Sequence, residues 1–174
     1  DGYQLLWNAF SGSGYDIACA QNNFPIFYQL ENKKPVVDQI SFDPVFQDEL
    51  YFVHLNKKQN SREGISQYKK YQAEKSFDSV QSDIKEISLL SAEFVKATSA
   101  KKLEKVIKEH EQIISSMIKL NPVKKEMFPD YFGTVKSLGA WGGDFVLVTG
   151  NEDTPAYFQQ KGFETILPYS EMIL

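Results

Sequence analysis

The sequence predicts an α+β protein in which helices lie on one face of an antiparallel sheet. Strongly β-prone runs at residues 50–55 and 145–149 indicate strands of this sheet. Over residues 80–94 and 103–117, apolar side chains recur at steps of three and four, which is the spacing of amphipathic helices. Strands mixed with helical pairs and short connections are typical of this fold class.

The first 44 residues predict a small unit of mixed structure. Apolar residues at 3–10 are spaced like the end of a buried helix, so we expect that an upstream part of the same protein is missing. Asp43-Pro44 predicts a linker, which gives expected domains at residues 1–44 and 45–174. The elements expected before this linker are a helix at 15–21 and strands at 24–30 and 36–40 around a turn at 31–34.

The remaining residues alternate between strands and helices. A polar loop follows the strand at 50–55, and Ser61 within it is able to cap the next helix. Thr98-Ser99 is a start signal for the second of two long helices, and Pro122 ends it. The last expected elements are a segment at 134–138, the strand at 145–149, a helix at 154–161 ended by Gly162, and a strand at 163–167.

Composition and charge argue against several classes of protein. The 174 residues carry a net charge of -4. Their lysines are scattered among glutamates, so no nucleic-acid partner is expected. The longest apolar runs are only a few residues long, which argues against a membrane partner. Cys19 is the single cysteine, so no internal disulfide can form and a reducing compartment, the cytoplasm, is expected.

Two short glycine-rich stretches stand out against this scaffold, at residues 12–18 and 137–145. Glycine permits left-handed backbone and close approach, and loops of this kind commonly contact anions or substrates. Neither stretch has the lysine and hydroxyl pair of a P-loop, and the first lacks the third glycine of a dinucleotide-binding fingerprint. We expect a functional site where the two stretches meet.

Asp16 lies in the first stretch, at the start of the predicted short helix. One interpretation is a helix cap, which contributes about 1 kcal/mol to stability. The other is a carboxylate held by a rigid glycine turn, which orients a substrate hydroxyl or takes its proton. Such a group contributes roughly 10²–10⁴ in rate. The spacing alone leaves both interpretations open.

Other candidate residues have simpler structural interpretations. Asp144 is expected as a charge at a strand edge, and Cys19 as a core residue. His110 lies on the apolar stripe of its helix and His54 in a β-prone run, so both are expected to pack structurally. Trp141 either plugs the contact between the two stretches or forms the wall of a pocket. Three polar residues keep open roles: Lys136, which faces a nucleotide or solvent, and Ser61 and Arg62, in a charged loop that could face a phosphate.

Together the two stretches resemble those of the GHMP kinases, a family that includes galactokinase, homoserine kinase, mevalonate kinase and phosphomevalonate kinase. Ser13-Gly14-Tyr15-Asp16 is similar to the Ser-Gly-x-Asp segment of the mevalonate and phosphomevalonate branch. Gly-Tyr-Asp-Ile-Ala at 14–18 resembles the signature of a poorly characterised subgroup. Residues 136–145 resemble the family's late glycine-rich motif, usually Gly-Ala-Gly-Gly-Gly, with Trp141 and Asp144 as departures.

The resemblance implies an ATP- and Mg²⁺-dependent kinase that phosphorylates a small-molecule metabolite, such as a mevalonate- or phosphomevalonate-like acid. It implies that Asp16 is the catalytic aspartate. The implied substrate-binding residues are Ser13, Gly14 and Tyr15 in the first stretch and Gly139, Ala140, Trp141, Gly142 and Gly143 in the second.

The implied fold is the end of a GHMP kinase N-terminal domain, residues 1–44, followed by a ferredoxin-like C-terminal domain, residues 45–174. The final strand, turn, helix and strand also resemble half of a ferredoxin-like split fold. The family's main phosphate-binding loop would lie upstream of Asp1, so this chain alone is expected to be inactive. A homodimer is left open. The alternative function is a non-catalytic ligand-binding or interaction module on the kinase scaffold.

Overall fold

The computed structural model describes residues 13–32, 34–57, 61–139, 141 and 144–173. The chain forms two compact units, Asp1–Asp43 and Pro44–Leu174. The described residues form an α+β fold whose sheets are antiparallel, as the sequence predicts. Among these residues, no helix is both long enough and apolar enough to cross a membrane. The helix expected at 3–10 lies outside the described residues.

The first unit contains a short helix followed by a β-hairpin. Helix α1 spans Tyr15–Ala20, and strands β1, Ile26–Glu31, and β2, Lys34–Gln39, pair antiparallel. Asn32 lies between the strands at φ 51°, a left-handed conformation that asparagine adopts more readily than most residues. The expected helix and both strands are confirmed, with their ends shifted by one or two residues.

The second unit contains a four-stranded antiparallel sheet. Its strands are β3, Leu50–His54; β4, Val135–Ser137; β5, Phe145–Thr149; and β6, Ile166–Pro168. Their order across the sheet is β4-β5-β3-β6. The helices between β3 and β4 therefore connect two strands that have β5 between them. In the same way, the helical connection from β5 to β6 joins two strands that have β3 between them.

Four helices connect β3 to β4 within the described residues, and their bounds are α2, Ser61–Glu74; α3, Phe77–Val95; α4, Ala100–Ile118; and α5, Val123–Met127. The Ser76 and Ser99 hydroxyls accept hydrogen bonds from the backbone N–H groups of Ser79 and Lys102, which fixes the starts of α3 and α4. The start at Ser99 was predicted. The separate helix α2 was not, because its apolar positions are too few to form a clear stripe.

The last connection is α6, Thr154–Gln160, which is followed by β6 and by the short helix α7, Tyr169–Met172. The strand expected at 163–167 starts later, because the Phe163 N–H still donates to the Phe158 carbonyl where α6 ends. Gly162 adopts φ 85° at that helix end, as its predicted role requires.

Two apolar clusters of described residues stabilise the second unit. One packs Val53, Val146 and Val148 of the sheet against Phe128 and Phe158. The other joins the helices α2, α3 and α4, and its members are Tyr71, Val80, Met117 and Ile118, with the half-buried Trp141 packed against them. This second cluster therefore positions part of the second glycine-rich stretch.

Candidate functional site

The first glycine-rich stretch forms the start of helix α1. Gly14 precedes the helix with φ 78°, a left-handed conformation that favours glycine. Asp16 lies in the first turn and is exposed. Within the described residues its carboxylate accepts no hydrogen bond and forms no ion pair, so the hydrogen-bonded cap considered for Asp16 is not observed there.

Two tyrosines tie this stretch to the hairpin. The Tyr28 hydroxyl donates a hydrogen bond to the Ser13 carbonyl, and the Tyr15 and Tyr28 rings meet edge to face at 5.7 Å. The Tyr15 N–H donates to the Ser13 hydroxyl at 3.3 Å. The pKa of Tyr15 is raised to about 12, mainly by a hydrogen bond with Cys19 and secondly by burial of the ring. Cys19 itself is half-buried rather than the core residue expected from sequence.

The second glycine-rich stretch leaves the sheet at the end of β4. Gly139 and Trp141 both adopt φ 58° in the left-handed region, which is unusual for a bulky residue such as tryptophan. Asp144 is exposed, and its carbonyl accepts the Leu55 N–H at 2.8 Å, so it lies at a strand edge as expected. Ala140, Gly142 and Gly143 lie outside the described residues.

A cavity of about 640 Å³ lies beside this second stretch. Its walls are α2 around Tyr68, α4 around Ile114, and residues 136–139 and 141. Apolar side chains predominate, and Lys69, Gln72, His110, Lys136 and Ser137 add the polar groups. Ligand-binding cavities commonly have this size and this mixture of apolar walls with a few polar groups. The cavity is therefore the candidate binding site of the second unit.

A buried carboxylate anchors the strand from which the second stretch emerges. Glu111, only 3% exposed, accepts hydrogen bonds from the Ser137 N–H at 3.3 Å and the Ser137 hydroxyl at 3.0 Å. Its Oε1 lies 3.8 Å from the Lys136 Nζ. Burial raises the pKa of Glu111, while Lys136, Ser137 and the Trp141 indole act in the opposite direction.

Lys136 faces this carboxylate and the cavity instead of open solvent. Its side chain is 17% exposed, and burial lowers its pKa although Glu111 opposes that change. At 3.8 Å from the Lys136 Nζ, the Glu111 oxygen lies beyond hydrogen-bond distance. Among the described residues, the ammonium donates only one long hydrogen bond, of 3.5 Å, to the Ser137 carbonyl. Donor capacity therefore remains on this ammonium for an anionic ligand.

His110 also lines the cavity, which the sequence did not predict. Burial, and then the charge of Lys136, lowers the pKa of His110 to about 4, so the imidazole is neutral near pH 7. Its Nδ1 is buried and has no hydrogen-bond partner among the described residues. His54, by contrast, packs its ring against Phe145 at 4.9 Å, as expected for a structural residue.

Sequence reasoning missed Glu111 and left Lys136 open. The sequence signal that could have identified Glu111 is its position on the buried face of α4. It lies four residues after Ile107 and seven before Ile118, both of which are buried. A carboxylate on such a stripe requires a partner. The phosphate-facing role considered for Ser61 and Arg62 stays a prediction, because residues 58–60 and these two side chains lie outside the part of the chain that the structure describes.

The sequence-predicted site residues fall in both units. Ser13, Gly14, Tyr15 and Asp16 lie together at the start of α1 in the first unit, whereas Gly139 and Trp141 line the cavity of the second. Across the described ranges, no three His, Cys, Asp or Glu side chains lie close enough together to hold a metal ion.

No protein-family model matches the chain, and no curated protein matches it. Among solved structures, a Lin0012 protein from Listeria innocua is similar in fold, with a TM-score of 0.56 and 18% sequence identity. The similarity covers 77% of this chain and 41% of the Listeria chain. This chain therefore matches less than half the length of that protein, and the likeness concerns the fold alone.

Proposed function

We propose that the chain is the C-terminal portion of a GHMP-type small-molecule kinase, which transfers the γ-phosphoryl group of ATP to a mevalonate- or phosphomevalonate-like metabolite. The proposal rests on the two glycine-rich stretches, which occur in the order that the family resemblance requires, with Trp141 and Asp144 as departures from the second motif. Asp16 would orient or deprotonate the acceptor group, and Ser13, Gly14 and Tyr15 would shape its pocket.

The observation that carries the proposal is the backbone of the second stretch. Trp141 departs from the family's glycine, yet it keeps φ 58°, a conformation that glycine adopts at little cost. The stretch therefore has a glycine-type backbone at the position where the family motif has glycine. It also lines the 640 Å³ cavity, where Lys136 offers a cation and Ile114 and Leu138 offer apolar surface to a small organic acid.

The strand order gives further support. The second unit runs β-α-β-β-α-β if the helices between β3 and β4 are taken as one connection. That order is the one of a ferredoxin-like split fold, which is the C-terminal domain implied by the resemblance. The described residues provide no cluster of ligands for Mg²⁺, so we assign ATP and Mg²⁺ to no residue among them.

The proposal is tested on the protein expressed from its whole reading frame, with labelled ATP and a panel of mevalonate-pathway and sugar acceptors. Replacing the carboxylate in Asp16→Asn is expected to lower turnover by about 10²–10⁴-fold. Asp38→Asn, an exposed acid on β2 in the same unit, is the matched control and should leave turnover unchanged. The 174-residue chain alone is expected to transfer no phosphate.

Full turnover by Asp16→Asn would remove Asp16 from the mechanism. Failure of the wild-type protein to phosphorylate any acceptor would favour the second candidate, a non-catalytic module that binds a small metabolite. Trp141 is the observation that favours this candidate, because a large ring that lines the cavity and packs against the helices stands where the family motif has glycine. Calorimetric binding of organic acids without phosphoryl transfer would support it.

A further inference from the structure

A second cavity, of about 360 Å³, lies between helices α4 and α5 and the start of β4. We propose that it binds a small phosphate-bearing anion through Lys108, Lys124, Lys125 and the Thr134 hydroxyl. The cavity contains no residue of either glycine-rich stretch, so this inference does not depend on the proposed kinase function.

Three lysines line this cavity, and their charges are only partly neutralised. The Lys108 ammonium lies 3.8 Å from the nearest Glu104 oxygen, a long and exposed pair. Lys125 forms no ion pair with any described residue. Burial, and then the positive charge of Lys108, lowers the pKa of Lys124, although the Glu104 and Asp130 carboxylates act in the opposite direction. Lys108 and Lys124 are therefore near enough to repel each other. An anion between them would relieve that repulsion.

Lys124 is held in place by the protein backbone. Its ammonium donates to the carbonyl of Tyr131 and, at 2.6 Å, to that of Gly133. The fixed ammonium lies half-buried on one wall of the cavity, whereas Lys108 and Lys125 are exposed and able to turn towards an anion. One fixed and two adjustable cations suit an ion with several acceptor oxygens.

The buried hydroxyl of Thr134 is a second observation in favour of a ligand, and it does not depend on the charges of the lysines. Thr134 is only 2% exposed and lines the cavity, yet its hydroxyl has no hydrogen-bond partner among the described residues. The other buried serine and threonine hydroxyls among the described residues behave differently: those of Ser137, Thr149 and Thr154 are all hydrogen-bonded. Because nearly all buried polar groups in proteins are paired, an unpaired hydroxyl beside three lysines indicates a ligand that accepts its hydrogen.

Glu111 also borders the cavity, but its carboxylate is committed elsewhere. Both of its oxygens accept hydrogen bonds from Ser137, and Lys136 lies beside Oε1. The cavity volume falls within the range of small-ligand sites. A phosphate group suits this site better than a carboxylate, because it presents more oxygens to three ammonium groups and one hydroxyl.

The test is calorimetric titration of the 174-residue chain at fixed ionic strength, with inorganic phosphate, glycerol 3-phosphate and acetate as probes. Lys108→Gln is expected to weaken phosphate binding about ten-fold, the order of one charge-assisted hydrogen bond. Lys105→Gln is the matched control, because Lys105 lies on the same helix and also has a long pair with the residue four positions away. It should bind phosphate as the wild type does.

Thr134→Val removes only the unpaired hydroxyl and keeps the shape of the side chain. It is expected to weaken phosphate binding about five-fold while leaving urea unfolding unchanged, since no protein hydrogen bond is lost. Tighter binding of glycerol 3-phosphate than of inorganic phosphate would identify an organic phosphate as the ligand, and the reverse order would identify the free ion. Three results would overturn the proposal: no saturable phosphate binding, acetate binding equal to phosphate, or an equal loss in Lys105→Gln.

Discussion

The two glycine-rich stretches look alike in sequence, yet they are supported in different ways. The first starts a six-residue helix and is tied by Tyr28 to a hairpin whose side chains are mostly exposed or half-buried. The second leaves a four-stranded sheet, and Glu111, an almost fully buried residue of a 19-residue helix, fixes the strand before it.

A glycine motif therefore does not by itself determine how firmly its backbone is held; the surrounding structure does. A two-stranded hairpin is marginally stable by itself, so the backbone around Asp16 depends on a few exposed hydrogen bonds. The backbone around Gly139 depends on a buried charged group, whose loss would leave other buried polar groups unpaired. Substitutions should therefore affect the two stretches to different extents.

Removing the buried anchor should have the largest effect. Glu111→Ala leaves the Ser137 N–H and hydroxyl without their acceptor and removes the opposite charge beside the Lys136 ammonium. It should lower the free energy of unfolding by about 3 kcal/mol. Urea denaturation measures this change. Glu109→Ala, on the exposed side of the same helix, is the control and should change stability by less than about 0.5 kcal/mol. Equal losses in both variants would show that Glu111 is not an anchor.

Acidification should have an intermediate effect through His110. Its pKa is about 4 in the folded chain and 6.5 without the fold, so between these values the unfolded chain binds a proton that the folded chain does not. Stability should therefore fall as pH decreases from 6.5 towards 4. Between pH 7 and pH 5 the wild type should lose about 1–2 kcal/mol more than His110→Gln.

Urea unfolding at the two pH values measures the loss due to His110. His54→Gln is the control, because it also removes one histidine but leaves the cavity unchanged, and it should retain the wild-type loss. If both histidine variants lost stability equally on acidification, His110 would not be buried in its neutral form.

Loosening the first stretch should have the smallest effect. Tyr28→Phe removes the hydrogen bond to the Ser13 carbonyl, which contributes about 1 kcal/mol, and should speed exchange of the Ala18 amide hydrogen about five-fold. That amide donates to Gly14 at 3.1 Å and so reports on the start of α1. Asp38→Asn should leave the exchange rate unchanged. An unchanged rate in Tyr28→Phe would mean that the hairpin does not hold the first stretch.

Much of the fold could be predicted from the sequence because its signals are local. Ser99 caps α4 through the N–H three residues on, and β5 occupies the residues 145–149 that the β-prone run indicates. A helix was expected to start near Ser61, but the division into separate helices α2 and α3 was missed, because α2 lacks a clear apolar stripe. Strand β6 proved shorter than expected, because the turn after α6 extends to Phe163.

The site was less predictable than the fold. The glycine conformation of Gly139 and the edge position of Asp144 follow from residue type and neighbours. The roles of His110 and Glu111 do not, since an apolar stripe shows which side of a helix is buried but not which polar group will face it. For the same reason Lys136 could not be assigned to solvent or ligand from sequence.

The α+β class, the main strands, the helix caps and the left-handed glycine at each stretch follow from local sequence, because each depends on residues a few positions apart. Long-range packing, in contrast, brings Glu111 to Ser137, 26 residues away, and places the neutral His110 and the inward-facing Lys136 at the same cavity. Those contacts arise when α4 packs beside β4, and burial then determines the protonation and hydrogen-bonding partners of the groups enclosed.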